Sequence, residues 1–525
     1  MKRSPTWAIV LLSIGVFMAA LDNGIISSAL TTIYYSFGVT PNWGAWTVTI
    51  YTLGIAVSVP IIGKLSDRYG RKRLFLIEVI LFGIGSLLVA LSTSFPMLLA
   101  SRFLQSLGGG GIFIIASSYV LSTFPQEKQG KALGMLGGLN GIAAILGPNF
   151  GSVILDLTGN WHWLFLINIP IAITLVILGS IFIEETKEPN TLGLDWAGIG
   201  LLMISVLSLM YGFTQLNGVH VLDSIQQPQF FGFVGFGLLC LLILLFVEKR
   251  VTTTRKKDPI LPMKLLGNAS YLWTLVIGFF SGAILASVIF IPSYVEQYLG
   301  VAADRAGYWV TPLALASGLG AGGGGALVDR RGPIFTIVIG SLLAATGFLL
   351  FPLWVDATWQ MAIASSFVGI GFGMMLGAPI NVLATESTSD KGTALGTLSL
   401  FRQVAMTLAP TIYAGYIARS FSSIGGNIQE SFKNTNLQLP QASDEMSKLS
   451  EFTDFQNLLS AVHQIPVPQV RDLILTTIHE TIKMGYDALF YSGAIIAGLT
   501  LISVVTLSQM RKRVQSSSTI SEAKS

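Results

Sequence analysis

The sequence predicts an all-α membrane protein in which two similar bundles of six helices are joined by two further helices. Hydrophobic residues make up 52% of the 525 residues and charged residues only 11%, whereas soluble domains carry about 25% charged residues. The apolar residues form fourteen runs of about the 20 residues that a spanning helix needs. Three groups of residues also recur at one fixed spacing along the chain.

The apolar runs predict helices because they are continuous and rich in Leu, Ile, Gly and Phe. A transmembrane barrel would instead show short segments of alternating polarity. The runs begin near residues 7, 44, 74, 97, 130, 163, 194, 229, 269, 305, 334, 358, 391 and 486. We therefore expect a multi-pass protein of the cell membrane.

The recurring residues indicate a duplicated bundle. Residues 63–70 (Gly-Lys-Leu-Ser-Asp-Arg-Tyr-Gly) match residues 325–332 (Gly-Ala-Leu-Val-Asp-Arg-Arg-Gly) at an offset of 262 residues. The same offset aligns residues 130–136 with 392–398, and it aligns Pro148 with Pro410. Parallel repeats of this kind build one class of secondary transporter.

The offset also divides the chain into domains. It predicts an N-terminal six-helix bundle over residues 1–184 and a C-terminal six-helix bundle over residues 269–525, including a short cytoplasmic tail. Residues 185–268 then form a linker that carries two inserted transmembrane helices. The last helix is displaced from its counterpart by a polar stretch, residues 421–485, which we expect to be an extracellular insertion.

The predicted insertion contains apolar residues at helical spacing, which favours a small folded element with at least one amphipathic helix. These residues are Val470, Leu473, Ile474, Ile478 and Ile482. A disordered loop is the alternative.

The distribution of charge predicts orientation and excludes several classes of function. Most of the 31 Lys and Arg residues fall in segments on one side of the membrane, so the positive-inside rule places both termini in the cytoplasm. This topology explains the net charge of +4 without a nucleic-acid partner. The single cysteine, Cys240, excludes a disulfide framework and a cysteine metal site.

Several motifs resemble those of the major facilitator superfamily, and in particular its fourteen-span drug:proton antiporters. Residues 63–73 resemble the cytoplasmic loop signature of that family, and residues 21–26 resemble its first-helix signature. Residues 102–109 resemble the fourth-helix signature and residues 141–151 the antiporter signature of the fifth helix. Phe401-Arg402-Gln403 is also similar to a family sequence. The resemblance implies the major facilitator fold and proton-driven multidrug efflux.

The loop signature and its repeat are candidates for a cytoplasmic gate. Asp67 can accept hydrogen bonds or complement a helix N-terminus, while basic residues supply cytoplasmic charge. The hypothesis is a latch between the two halves that forms in the outward-open state; charges that only fix topology are the alternative. The repeat lacks the matching basic residues. The gate candidates are Gly63, Asp67, Arg68, Gly70, Arg71, Lys72, Asp329 and Arg330.

Asp22 is the candidate proton carrier. It lies about fifteen residues into the first helix, roughly 22 Å along it, and a charge near the bilayer centre costs on the order of 3 kcal/mol. Arg102 also falls in the outer half of the membrane, where it could change the proton affinity of Asp22 by moving relative to it. The alternatives are a structural ion pair for Asp22 and snorkelling for Arg102.

Further residues are candidates for the cavity and for helix movement. We expect the polar side chains of Gln105, Asn140, Arg402 and Gln403 to face a central cavity. In the fifth run, Gly141, Gly147 and Gly151 would allow close helix approach, and Pro148 would allow bending.

Together these features predict a proton-coupled transporter, not an enzyme, that exports amphipathic, largely hydrophobic compounds by alternating access. A lipid or glycolipid exporter of the same fold is the first alternative, and a non-transporting receptor or scaffold is the second. We expect a monomer without cofactors, whose partners are the substrate, protons and membrane lipids. A proton supplies about 2.3 kcal/mol per 100 mV and about 1.4 kcal/mol per pH unit.

Overall fold

The computed structural model describes residues 5–44, 46–187, 193–254, 257–261, 263–435, 462, 465 and 467–522. These residues are almost entirely α-helical, as predicted. The strands among them are a parallel pair, β1 (Gly193–Leu194) and β2 (Lys257–Asp258). This pair joins the segments that enter and leave the inserted helices.

The helices follow in three groups. The first comprises α1 (Pro5–Ser36), α2 (Pro41–Gly44), α3 (Trp46–Tyr69), α4 (Arg71–Ala90), α5 (Phe95–Gly109), α6 (Ile112–Thr123), α7 (Gln126–Thr158), α8 (Trp163–Leu166) and α9 (Asn168–Phe182). The inserted group comprises α10 (Trp196–Thr214), α11 (Val221–Gln226) and α12 (Pro228–Thr254). The last comprises α13 (Met263–Leu266), α14 (Ala269–Ser287), α15 (Ile291–Gln297), α16 (Ala303–Ala306), α17 (Thr311–Arg331), α18 (Pro333–Trp354), α19 (Thr358–Leu376), α20 (Pro379–Thr385), α21 (Lys391–Thr435) and α22 (Pro468–Glu522).

The described part of the chain contains 12 helices that are long and apolar enough to cross a membrane. Helices α17 and α21 are also long enough, but glycines and polar residues lower their hydropathy. The count of fourteen spans therefore stays a prediction, as does the cytoplasmic position of the termini. Helix α12 exposes 72% of Phe231 and 64% of Leu242, which suits a surface in contact with lipid.

The inserted helices pack against both halves of the molecule. Leu202 and Val206 of α10 share a buried apolar core with Leu53 and Val57 of α3. Leu400 of α21 packs against the same core. The insert therefore rests on one helix from each half.

Helices α21 and α22 extend well beyond a bilayer. Their 45 and 55 residues give lengths of roughly 68 and 82 Å, against about 30 Å of hydrocarbon. The extensions lie side by side: Asn427 donates to Thr481 Oγ1 at 3.0 Å, and Thr477 donates to Ser431 Oγ at 3.1 Å. We call this pair of extensions, residues 421–435 and 468–485, the outer hairpin.

The predicted amphipathic helix is the start of α22, and its apolar residues fill the centre of the outer hairpin. Ile474, Ile478 and Ile482 are buried there with Ile428 and Phe432 of α21. The middle of the predicted insertion, residues 436–461, lies outside the described residues.

Candidate functional site

A cluster of polar side chains surrounds Asp22 inside the first bundle. Arg102 Nη1 donates to Asp22 Oδ2 at 2.9 Å, and Asp22 Oδ1 accepts from Gln105 Nε2 at 3.0 Å and Asn168 Nδ2 at 2.8 Å. Ser86 Oγ accepts from Gln105 Nε2 at 2.7 Å. Asp22, Arg102 and Gln105 expose no more than 1% of their surface. These five residues form what we call the Asp22 cluster.

Apolar and aromatic surroundings isolate this cluster from water. The Arg102 guanidinium lies 4.0 Å from the centre of the Tyr51 ring and 5.5 Å from that of Phe165. A ring face attracts a cation most strongly where water is excluded. Arg102 Nη1 also donates to Gln105 Oε1 at 2.6 Å, whereas Nε and Nη2 form no hydrogen bond with the described residues. The charge of Arg102 therefore depends on Asp22, on the Gln105 carbonyl oxygen and on the rings.

The Asp22 cluster is arranged around an acceptor. All three side chains that contact Asp22 present N–H donors, which suits an ionised carboxylate because it accepts and does not donate. The cluster also joins α1, α4, α5 and α9. A proton on Asp22 would remove the charge that holds Arg102 and would place a donor among donors, so these helix contacts would have to change.

The second half of the chain has no corresponding carboxylate and arginine. The offset of 262 residues places Ile284 opposite Asp22 and Ala364 opposite Arg102, and both are buried apolar residues. The bundles are therefore similar in fold and different in chemistry at their centres.

Asp67 connects the two halves through the first turn of α21. Its Oδ1 accepts from the Gly392 amide at 3.0 Å and its Oδ2 from the Thr393 amide at 2.9 Å. Arg71 holds the carboxylate in place, because its Nη2 donates to Asp67 Oδ1 at 2.8 Å and its Nε donates to Ser118 Oγ at 2.7 Å. The carboxylate therefore binds free amides at a positive helix end.

Asp329 makes the equivalent contact from the other half. Its Oδ1 accepts from the Gly130 amide at 2.7 Å and its Oδ2 from the Lys131 amide at 2.9 Å, near the start of α7. Because the partners are backbone amides, the missing basic residues of the second copy do not prevent this contact. Both contacts, which we call the paired latch, are formed in this structure.

Glycines allow the helices of the paired latch to touch. A β-carbon on Gly63 would clash with the carbonyl oxygen of Gly392, and one on Gly325 would clash with that of Gly130. Gly70 follows α3 with a φ of 109°, a left-handed value that favours glycine. Its counterpart Gly332 has a φ of 84°.

The other basic residues of the loop signature contact neighbouring segments. Arg68 lies 4.0 Å from Asp258, and Lys72 Nζ donates to the Ser180 carbonyl at 2.6 Å. Arg330 is exposed.

Sequence reasoning missed the role of Lys64, which is buried beside the paired latch. Its Nζ donates to Asp258 Oδ1 at 2.6 Å and lies 3.8 Å from Asp390 Oδ2. Asp258 belongs to the inserted segment and Asp390 directly precedes α21. Lys64 thus ties the first half to both other parts of the chain; a lysine at the inner end of a predicted span was the available signal.

The residues of the antiporter signature, 141–151, lie on α7 where it contacts neighbouring helices. Gly147 and Gly151 face α1, and Gly141 faces Ser317 of α17. Pro148 lies inside α7, which continues to Thr158.

The expected cavity residues separate into two groups. Gln105 is fully buried in the Asp22 cluster rather than free to face a cavity between the halves. Asn140 and Gln403 are half-buried. Arg402 is 8% exposed, and its Nε donates to Ser281 Oγ of α14 at 3.2 Å.

Comparison with known proteins identifies the family. Residues 12–410 match the Major Facilitator Superfamily. The chain belongs to this superfamily. It is 55% identical over 98% of both chains to the uncharacterized MFS-type transporter YfiU of Bacillus subtilis, and 28% identical to Multidrug resistance protein 3 of the same species, over 97% of this chain and 96% of that protein.

Solved structures agree on the fold. The crystal structure of the human organic anion transporter MFSD10 (TETRAN) matches 95% of this chain and 100% of its own at a TM-score of 0.55 and 14% identity. The major facilitator fold predicted from the sequence is therefore confirmed. The chain is a multi-pass transporter of the cell membrane, and its family is not a family of enzymes.

Proposed function

We propose that this transporter exports amphipathic, largely hydrophobic compounds in exchange for protons, by alternating access. The observation that carries the proposal is the Asp22 cluster. A carboxylate without solvent exposure, paired with an arginine, is costly to place in a membrane and is a functional candidate by default. The similarity to Multidrug resistance protein 3 supports the class of substrate.

In the proposed cycle, a proton from the outer side reaches Asp22 while the paired latch is closed. Protonation weakens the attraction of Asp22 for Arg102 and disturbs the contacts among α1, α4, α5 and α9. The first bundle then shifts, and the paired latch opens toward the cytoplasm. Substrate entering from the cytoplasm favours proton release, and the return step carries the substrate outward.

The paired latch supplies the bias between the two states. A hydrogen bond to a charged group contributes about 1.5 to 3 kcal/mol, and the latch contains four carboxylate-to-amide bonds between the halves. A contact made in only one state shifts the equilibrium by its own differential energy. The latch therefore stabilises the state that is closed on the side we predict to be cytoplasmic.

Lipid export is the second candidate, and the outer hairpin favours it. The hairpin extends α21 and α22 beyond the length that a bilayer requires and buries an apolar centre that includes Ile428, Phe432 and Ile478. If its two helices separate, this apolar centre could receive an acyl chain leaving the protein. A small soluble substrate would not need it.

Transport in proteoliposomes tests the proposal. Uptake would be followed for pyrenebutyrate, for pyrenebutyl-trimethylammonium and for fluorescent phosphatidic acid, with and without an imposed pH gradient. Concentrative uptake of a soluble probe that requires the gradient supports drug export, and gradient-dependent movement of phosphatidic acid alone supports lipid export. Failure of every probe to respond to the gradient would contradict proton-coupled export.

A further inference from the structure

Arg402 lies deep in the second half of the molecule. It is eleven residues from the start of α21 at Lys391, or roughly 16 Å along the helix, which places it near the middle of a bilayer. Only 8% of its surface is exposed. The hydrogen bond from Nε to Ser281 Oγ, at 3.2 Å, orients the guanidinium between α21 and α14.

The guanidinium of Arg402 has no counter-charge among the described residues. No carboxylate there pairs with it, no aromatic ring lies beneath it, and the buried Nη2 makes no hydrogen bond. Arg102, the comparable arginine of the first half, has both Asp22 and the Tyr51 ring. The two central arginines therefore differ in their partners.

An arginine cannot relieve this situation by losing its proton, because it stays charged at every pH that proteins meet. A buried charge without a partner is strongly destabilising. An anion from outside the described chain would supply the counter-charge that Arg402 lacks among the described residues.

We propose that Arg402 and Ser281 form a binding site for the anionic group of the transported amphiphile, a carboxylate or a phosphate. The proposal rests on the function proposed above and narrows its substrate class. The planar guanidinium matches both groups, because it offers parallel N–H donors to two oxygens. Nη2 is free for this purpose, while Nε remains on Ser281.

The position of the site links binding to the gate. Arg402 lies on α21, and the first turn of that helix binds Asp67 in the paired latch. The backbone of Arg402 also touches Gly282 of α14, where a β-carbon would clash with it. An anion bound at Arg402 would therefore act on two helices in direct contact, one of which closes the latch.

The test compares Arg402→Gln with Arg419→Gln, an exposed arginine of the same helix that donates to the Gly218 carbonyl at 3.1 Å. Binding and proteoliposome transport would be measured for pyrenebutyrate, fluorescent phosphatidic acid and pyrenebutyl-trimethylammonium. We expect Arg402→Gln to weaken the binding of at least one anionic probe by about tenfold or more, as for a lost hydrogen bond to a charge. The transport of that probe should fall with its binding. The cationic probe should change less than about twofold, and Arg419→Gln should resemble the wild type for all probes.

The anionic probe that Arg402→Gln affects indicates whether the ligand of Arg402 is a soluble anion or a lipid headgroup. Loss confined to pyrenebutyrate indicates a soluble organic anion, and loss confined to phosphatidic acid indicates a lipid headgroup. Unchanged handling of both anions, or an equal loss for the cation, would overturn the proposal.

Two further measurements keep the test decisive if Arg402→Gln does not fold. Ser281→Ala should fold and should weaken the binding of the same anionic probe. In the wild type, that anionic probe should raise the Tm more than the cationic probe does. Equal effects of anion and cation on the wild-type Tm would overturn the inference. A wild type that moves the cation with the gradient and neither anion would leave the proposed function intact and refute only the Arg402 site.

Discussion

Asp22 accepts hydrogen bonds from side chains on two other helices, so its protonation and the packing of the first bundle are linked. Arg102 and Gln105 approach it from α5, and Asn168 approaches it from α9. The donors would have to find other acceptors if Asp22 were protonated. We infer that one proton can therefore shift several helices.

Arg102→Lys should shift the pH dependence of transport without abolishing it. Lysine keeps the positive charge near Asp22 but loses the planar group that contacts both Asp22 and Gln105. The measurement is the rate of gradient-driven uptake between pH 5 and 9; an unchanged profile would contradict a role for Arg102 in tuning Asp22.

The sequence identified Asp22 and Arg102 because charged side chains stand out in apolar runs, and it identified Gln105 because this residue belongs to the motif over residues 102–109. It did not identify Ser86 and Asn168, which also contribute to the Asp22 cluster. Serine and asparagine often satisfy their own helix or a neighbour, and their spacing does not reveal which helices meet. Only the packing of four helices brings these side chains together.

At the scale of the helices, the two halves contact each other through carboxylates that bind near the start of a helix in the opposite half. Asp67 and Asp329 both bind backbone amides of the opposite half. The sequence predicted Asp67 as a possible partner of a helix N-terminus. It could not identify Gly392 and Thr393 as the donors, because the residue type does not reveal which backbone amide donates. The second copy has no counterparts of Arg71 and Lys72, and this difference was misleading for the same reason.

Gly63→Ala should open the paired latch, because a β-carbon at Gly63 would clash with the Gly392 carbonyl. Spin labels at the exposed Tyr69 and Ser387, in a Cys240→Ser background, would report the distance between α3 and the segment before α21. We expect a longer distance in most molecules. Gly323→Ala is the control, since a β-carbon there would meet no neighbouring group within 4 Å; equal distances in both variants would exclude a steric role for Gly63.

Removal of the outer hairpin should leave the export of a soluble probe intact. Replacing residues 421–485 by a short Gly/Ser linker removes the hairpin and leaves the paired latch and the Asp22 cluster intact. Gradient-driven uptake of a soluble probe should persist, while movement of phosphatidic acid, where the wild type shows it, should fail. Loss of soluble-probe uptake from a folded variant would show instead that the hairpin belongs to the transport pathway.

Across the whole molecule, the halves share a gate and differ in their centres. The paired latch obeys the offset of 262 residues in all four segments, which is why the duplication was visible in the sequence. The Asp22 cluster has no counterpart, and the counterpart of Arg402 is Asn140. Hydropathy predicted the helices well, but it predicted neither the extension of α21 through Gly425 and Gly426 nor the side-by-side outer hairpin, because both involve polar sequence.

Neutralising the paired latch should shift the population of the whole transporter. Asp67→Asn and Asp329→Asn each replace charge-assisted bonds by neutral ones, so each should favour the state open to the cytoplasm by about tenfold. Labelling of single cysteines introduced on α7 and α21, from each side of the membrane, would measure the shift. Unchanged accessibility in both variants would leave these aspartates with no role in gating.

The central claim is that Asp22 exchanges a proton for substrate, and proton release on binding tests it most directly. A soluble probe shown to be transported would be added to the purified protein in weakly buffered solution near neutral pH. The account predicts that the wild type releases protons, whereas Asp22→Asn binds the probe and releases none, because an amide preserves size but carries no exchangeable carboxyl proton. Equal proton release by Asp22→Asn and the wild type would contradict the claim and assign coupling to another buried carboxylate. The first to examine is Glu78 of α4, which is 1% exposed and accepts from the Gly111 amide at 3.0 Å.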